Sequence, residues 1–152
     1  MKILLSIKPE FVEEIFSGRK KFEYRKAIFT NKKVTSVIVY STMPVGKIVG
    51  EFTIEEVLVD EPQSIWRKTR KFSGITKRFF DDYFTGKHQA YAIKVGTLLP
   101  YEKPIDPYEK WDSFVAPQSF RYIDDFINEP ELEFAYKIRH ETPNLYPICS
   151  YD

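Results

Sequence analysis

Lys20, Glu23 and Arg25 fall within eight residues that read Arg19-Lys20-Lys21-Phe22-Glu23-Tyr24-Arg25-Lys26. One carboxylate among so many cations has two chemical uses. It can orient a guanidinium through a forked pair of hydrogen bonds, or it can move a proton for a bound substrate. The plainer reading is a solvated basic hairpin with one ordinary ion pair, of the kind that keeps sheet edges apart. Spacing alone does not separate these readings. If residues 20–25 form a strand, Lys20, Phe22 and Tyr24 share one face, and Lys21, Glu23 and Arg25 the other. Lys20 lies where a turn enters that strand, so it can still lean toward a mouth shared with Glu23 and Arg25.

The residues before this run say what positions it. Residues 2–7 are a short apolar strand that ends before Lys8. Pro9 suits the first turn of a helix, where its missing N–H costs nothing. Glu10, Glu13 and Glu14 sit early, near the positive end of the helix dipole. Phe11, Val12, Ile15 and Phe16 make one apolar stripe, and Gly18 can take the left-handed conformation that ends a helix.

Further on, residues 36–40 are a buried strand by their continuous apolar, β-branched run. Residues 41–46 form a turn, and residues 47–59 a long strand. Gly50 inside that strand implies a bulge or a close approach by another backbone or a ligand. Pro62 opens a short helix to about residue 69, and Thr76 caps another over residues 77–84. Phe79, Phe80, Tyr83 and Phe84 on that second helix read as core packing rather than a base-stacking surface. Residues 89–95 alternate as a strand, where small Ala90 and Ala92 could leave room for a ligand on their face or, the preferred reading, pack tightly against a helix. The proline-containing residues 98–107 are expected to wrap the surface, residues 117–123 to give a last strand or edge, and residues 131–139 a helix.

Composition bounds the class. With 152 residues the chain is expected to hold one domain. At 43% hydrophobic and 16% aromatic it can bury a real core. Net charge is +1, but the charge is unevenly placed. Residues 18–33 carry seven cations against Glu23 alone. Arg67, Lys68, Arg70, Lys71, Lys77 and Arg78 form a second basic window, while residues 106–133 are acidic. Such asymmetry suits a polyanionic partner on one face, and equally an ordinary mixed surface. A lone Cys149 and two histidines, His88 and His140, leave too few soft ligands for structural zinc. No cofactor or metal is implied, and no nucleotide-phosphate loop or hydrolase motif is present. The single cysteine fits a reducing compartment. No stretch approaches the ~20 apolar residues of a membrane span, so a cytoplasmic location is expected. Several strands separated by short helices or long loops argue for an α+β fold, a small, partly open β-barrel with short helices covering its ends.

Gly18-x-Lys20-x-x-Glu23-x-Arg25 resembles the GxKxxExR signature of ASCH domains, members of the PUA-like superfold. Residues 44–51, 73–75, 90–93 and 117–122 also resemble segments of bacterial ASCH proteins, in the same order. The resemblance implies a PUA-like barrel over residues 1–124, with residues 125–152 as a C-terminal extension packed on it or trailing from it. It also implies a basic cleft around Lys20, Glu23 and Arg25 that takes RNA or a nucleotide-like small molecule. Candidate contacts are Lys8, Lys20, Glu23, Arg25, Tyr40, Ser41, Gly46, Lys47, Tyr91, Gln118, Ser119 and Arg121. Tyr24 or Tyr40 could stack on an unpaired base. Gly46, Lys47 and Gly50 could let a backbone come close to a ligand. Gln118, Ser119 and Arg121 would supply hydrogen-bond donors, or simply cap a loop.

The rival expectation is an enzyme, a ribonuclease or an amidohydrolase of modified nucleosides, with Lys20 and Glu23 as reacting groups. One ASCH subgroup resembles an amidohydrolase with a lysine and a threonine nucleophile. Glu23 stands at the threonine position, and a carboxylate does not replace an alkoxide. Glu23 would instead act as a general base on water or a ribose 2′-OH. A regulator sensing a small nucleotide would carry the same residues, and the acidic C-terminal segment could contact a protein partner.

Overall fold

The computed structural model describes residues 1–111 and 113–123. The helix expected over residues 131–139 and the C-terminal extension lie outside them. The elements run β1 (Lys2–Ile7), α1 (Pro9–Phe16), β2 (Phe22–Arg25), β3 (Ser36–Ser41), β4 (Lys47–Asp60), α2 (Pro62–Thr69), α3 (Lys77–Tyr83), β5 (Ala90–Ile105), α4 (Pro107–Lys110) and β6 (Phe120–Tyr122). A 3-10 turn (Arg70–Phe72) continues α2. The six strands form one mixed sheet in the order β2-β5-β4-β3-β1-β6. Only the β1–β3 pair is parallel. The sheet curls into a half-barrel with short helices on it, the α+β, PUA-like architecture expected from the sequence.

Strand alternation distributes the core. On β3, Val37 and Val39 join Ile3, Leu5 and Ile7 beneath Val12, Ile15 and Phe16 of α1. Ile38 and Tyr40 face the other way, with Leu4, Ile48, Tyr101 and Phe114. All six residues of β3 are buried, which explains a sequence with no polar alternation. A third cluster joins Phe22 and Tyr24 of β2 to Ile65, Phe80, Phe84, Ala90 and Ala92. The two alanines are therefore packed under helices and leave no space on their face.

Residues 98–105 do not wrap the surface; they continue β5, which spans 16 residues. Their prolines are tolerated because the β4–β5 ladder is broken by register shifts, one of them between Ile48 and Gly50. Pro100 lies opposite Gly50 in that ladder. A Cβ on Gly50 would stand 2.8 Å from Phe16 Cζ, 2.9 Å from the Leu99 carbonyl oxygen and 2.9 Å from Pro100 Cα. The glycine thus marks a close approach by backbone, not by a ligand.

Two of those three atoms are backbone and cannot swing aside. Gly50→Ala should therefore cost about 1–3 kcal/mol, seen as a lower urea midpoint with an unchanged slope.

Candidate functional site

Ser17 caps the C-terminus of α1, and Gly18 follows at φ +85°. The chain then doubles back, with the Lys20 N–H donating to the Glu14 carbonyl at 2.8 Å. This brings Lys20 inward ahead of β2, so it escapes the alternation that residues 20–25 would impose as a full strand. Its side chain is 2% exposed. Nζ donates to the Ser73 carbonyl at 2.6 Å and stands 4.7 Å from the Tyr24 ring centroid and 5.5 Å from that of Phe11. The aliphatic stem lies against Gly74, where a Cβ would meet Lys20 Cβ at 2.5 Å. Gly74 also has φ +64°, so space and backbone both call for glycine there. Burial pulls the ammonium well below its ordinary range, to about 8, against the opposing pull of the Glu23 and Glu14 carboxylates.

Glu23 is 6% exposed. Its Oε1 lies 3.9 Å from Arg25 Nη1, and its Oε2 is buried with no hydrogen-bond partner. The other buried carboxylate among the described residues, Glu51, is fully served. It accepts from Lys2 Nζ at 3.1 Å and from the Tyr101 hydroxyl at 2.6 Å. Arg25 is turned mainly to backbone: Nη2 donates to the Ser119 carbonyl at 2.9 Å and Nη1 to the Ser6 carbonyl at 3.3 Å.

These groups open on one cavity of about 240 Å³. Ser6, Ile7, Lys8, Phe11, Lys20, Glu23, Tyr24, Arg25, Ile75, Phe79, Tyr83 and Gln118 line it. Phe79 and Tyr83 lie nearly parallel, at 13° and 6.5 Å, and Phe11 meets Phe79 edge-on at 5.1 Å. Lys8 Nζ sits 5.2 Å from the Phe79 centroid, and Lys26 Nζ 4.5 Å from that of Tyr83. The Tyr24 ring lines the cavity, but its hydroxyl pairs with Thr69 Oγ1 at 2.7 Å. Burial raises that hydroxyl to about 12, and with the hydroxyl turned to Thr69 it is the ring that faces the cavity.

Of the residues singled out from sequence, Lys8, Lys20, Glu23, Arg25 and Gln118 meet in this cavity. Ser119 serves it through its carbonyl, which holds Arg25. Tyr40, Ser41, Gly46, Lys47, Tyr91 and Arg121 do not line it. Tyr40 is core, its hydroxyl donating to Tyr108 at 3.1 Å. Ser41 is buried at the end of β3. Gly46 turns at φ +61° against Met43, and Lys47 is exposed at the start of β4. The Tyr91 hydroxyl donates to Gln89 Oε1 at 3.4 Å. Arg121 pairs with Leu4 in the β1–β6 ladder.

Sequence reasoning missed Ser6, Ile7, Phe11, Ile75, Phe79 and Tyr83 as cavity walls. The signal was the aromatic stripe of residues 79–84, taken whole as core. The two i, i+4 pairs lie about 100° apart around the helix, so Phe80 and Phe84 pack inward while Phe79 and Tyr83 face the cavity. No cluster of metal-ligating side chains occurs among the described residues. No helix among them is long and apolar enough to cross a membrane.

Comparison with known proteins bears on the fold and the family. An ASCH domain-containing ribonuclease of Zymomonas mobilis is 27% identical over 126 residues, covering 79% of this chain and 82% of that protein. A Ureaplasma parvum protein named large ribosomal subunit protein uL22 is 34% identical over 121 residues, covering 80% of this chain. This chain spans only 39% of that relative's length. The crystal structure of ASCH from Zymomonas mobilis superposes with a TM-score of 0.75 at 24% identity, over 87% of this chain and 91% of that one. The family model of the ASCH domain matches residues 5–123, and the chain belongs to the ASCH domain family.

Proposed function

We propose that this domain binds single-stranded RNA and takes one nucleotide into the cleft at Lys20 and Glu23. The observation that carries this reading is that one cavity walled by aromatic rings holds both a buried ammonium and a buried carboxylate with an oxygen that lacks a donor. A buried acceptor without a donor is costly to a fold. A base offering an imino or amino N–H would satisfy it. The cavity, at about 240 Å³, is smaller than the ~300–1,000 Å³ typical of drug-sized ligands, so it suits one base rather than several. Phe11, Phe79 and Tyr83 offer ring surfaces to that base. Lys8 at the rim can meet phosphate, and Gln118 can reach a base edge. The Zymomonas relative's name, ribonuclease, supports RNA as the ligand.

A second reading, cleavage, is favoured by the lowered lysine. An ammonium that titrates at about 8 can give up a proton near neutral pH. Glu23 would take the proton of a ribose 2′-OH as O2′ attacks the adjacent phosphorus. The new O2′–P bond forms as the P–O5′ bond breaks, and Lys20 protonates the departing 5′-oxygen. The products are a 2′,3′-cyclic phosphate end and a 5′-hydroxyl end. A regulator sensing a free nucleotide would use the same cleft without acting on a strand.

Binding and cleavage of a labelled oligouridylate separate these readings. Lys20→Met should weaken binding by about tenfold or more, the worth of one charge-assisted hydrogen bond. Glu23→Gln should still bind. If wild-type protein leaves cyclic phosphate ends and Glu23→Gln leaves none, the cleavage reading holds. If neither turns over, the domain is a binding module. Absence of binding by the wild type at low salt would sink both.

Lys20 also fixes a pH dependence. Unfolded, a lysine keeps its proton to about 10.4; folded, this one releases it near 8. Between those values the unfolded chain binds more protons, so stability rises with pH. Urea midpoints at pH 7 and pH 10 should show wild type gaining on Lys20→Met by on the order of 2–3 kcal/mol. RNA affinity should fall over the same range as the ammonium is lost.

A further inference from the structure

Around α2 and α3 some cations are answered by acids: Lys68 meets Asp60 at 3.0 Å and Lys77 meets Asp81 at 2.8 Å. Lys21, Arg67, Arg70 and Lys71 are exposed, and none has an ion-pair partner among the described residues. Arg67 lies in the last turn of α2, and Arg70 and Lys71 in the 3-10 turn that continues it. Ile65 and Thr69 are the buried residues of α2.

Phe72 ends that turn and is 45% exposed. Lys21 Nζ stands 4.4 Å from its ring centroid, and the Lys21 N–H donates to the Phe72 carbonyl at 2.8 Å. One residue further, the Ser73 carbonyl holds Lys20 inside the cleft. Patch and cleft are thus joined by one short segment. Cations in the last turn suit the helix dipole, but the dipole does not call for an exposed ring among them. The turn buries none of its residues, and neighbouring like charges repel.

We infer that this corner is the track by which an RNA strand leaves the cleft, with phosphates on Lys21, Arg67, Arg70 and Lys71 and one base stacked on Phe72. This rests on the RNA reading above. A cavity that accepts one base leaves the neighbouring nucleotides outside, and the segment that lines the cleft carries the patch on its outer side. Cations neutralise phosphates whatever the sequence, and an exposed ring accepts the face of any base. An acidic peptide would use the cations but have no need of the ring.

The test uses the full chain, a fluorescein-labelled oligouridylate of about 12 nucleotides, and uridine 5′-monophosphate as a probe of the cleft alone. Phe72→Ala and the pair Arg67→Ala with Lys71→Ala change exposed side chains, so thermal midpoints should hold. Phe72→Ala should weaken the oligonucleotide roughly tenfold. The double variant should weaken it and flatten the slope of log K against log salt by about 1.4, two charges at about 0.7 each. Monophosphate binding should be unchanged in both. Unchanged oligonucleotide binding in both variants, with normal monophosphate binding, would overturn the track and leave the cleft standing. So would displacement of the oligonucleotide by polyglutamate with Phe72→Ala neutral, which would mark a protein-binding patch. If the wild type binds neither probe, the cleft reading fails and the track falls with it.

Discussion

The Arg25 guanidinium spans the gap between the two ends of the sheet. β2 is one edge strand and β6 the other, and no ladder joins them. Arg25 reaches from β2 to the carbonyl of Ser119, just before β6, and to that of Ser6 on β1. A planar fork with several fixed donors suits two carbonyls better than a lysine would. The half-barrel is therefore drawn together at its seam by a charged side chain, not by strand pairing. Because the seam is not sealed by a ladder, it has room for a cavity, and the residues of β2 that face it become the cavity's floor.

The orphan oxygen of Glu23 follows from that closure. Two residues before Arg25, Glu23 points to the same side, yet the guanidinium is held by the carbonyls and stays 3.9 Å away. Glu51 shows that this chain can bury a carboxylate with both oxygens served. Lys20 repeats the pattern from the other side. One carbonyl receives it, two aromatic rings flank it, and its charge is held where water would stabilise it better. A fold selected for stability alone would put an apolar side chain at each position. Both departures fall in one cavity, and that coincidence is what makes the cavity a functional candidate.

Much of this was legible in the sequence, for local reasons. Gly18 as a helix stop, Pro9 at a first turn and the apolar run of β3 each depend on a few neighbouring residues. The grouping of Lys20, Glu23 and Arg25 followed from a short spacing and a resemblance. What was hidden depends on distant partners. Residues 98–105 looked like a proline-rich wrap because the bulge that tolerates Pro100 lies on β4, at Gly50. Tyr40 looked available for a ligand because only the register of β3 says which side chains face α4 and which pack beneath α1. The aromatic stripe of α3 was right in kind and wrong in extent. Periodicity shows that a helix has an apolar side, but not that the side is shared between a core and a cleft.

Charge illustrates the same limit from the surface. Counting cations in sequence windows found two basic stretches and treated each as a unit. The structure divides both by partner. In the first, Lys20 and Arg25 turn inward, Arg19 pairs with Glu14, and Lys21 lies over Phe72. In the second, Lys68 and Lys77 are neutralised by acids from outside the window. Lys21 from one stretch and Arg67, Arg70 and Lys71 from the other form a group that belongs to neither window as written. The Lys21 N–H bond to the Phe72 carbonyl and the Lys20 Nζ bond to the Ser73 carbonyl bring the two stretches together. Those contacts tie the outer patch to the turn that holds Lys20. A ligand anchored in the cleft and a strand running across the patch would therefore bear on the same few residues.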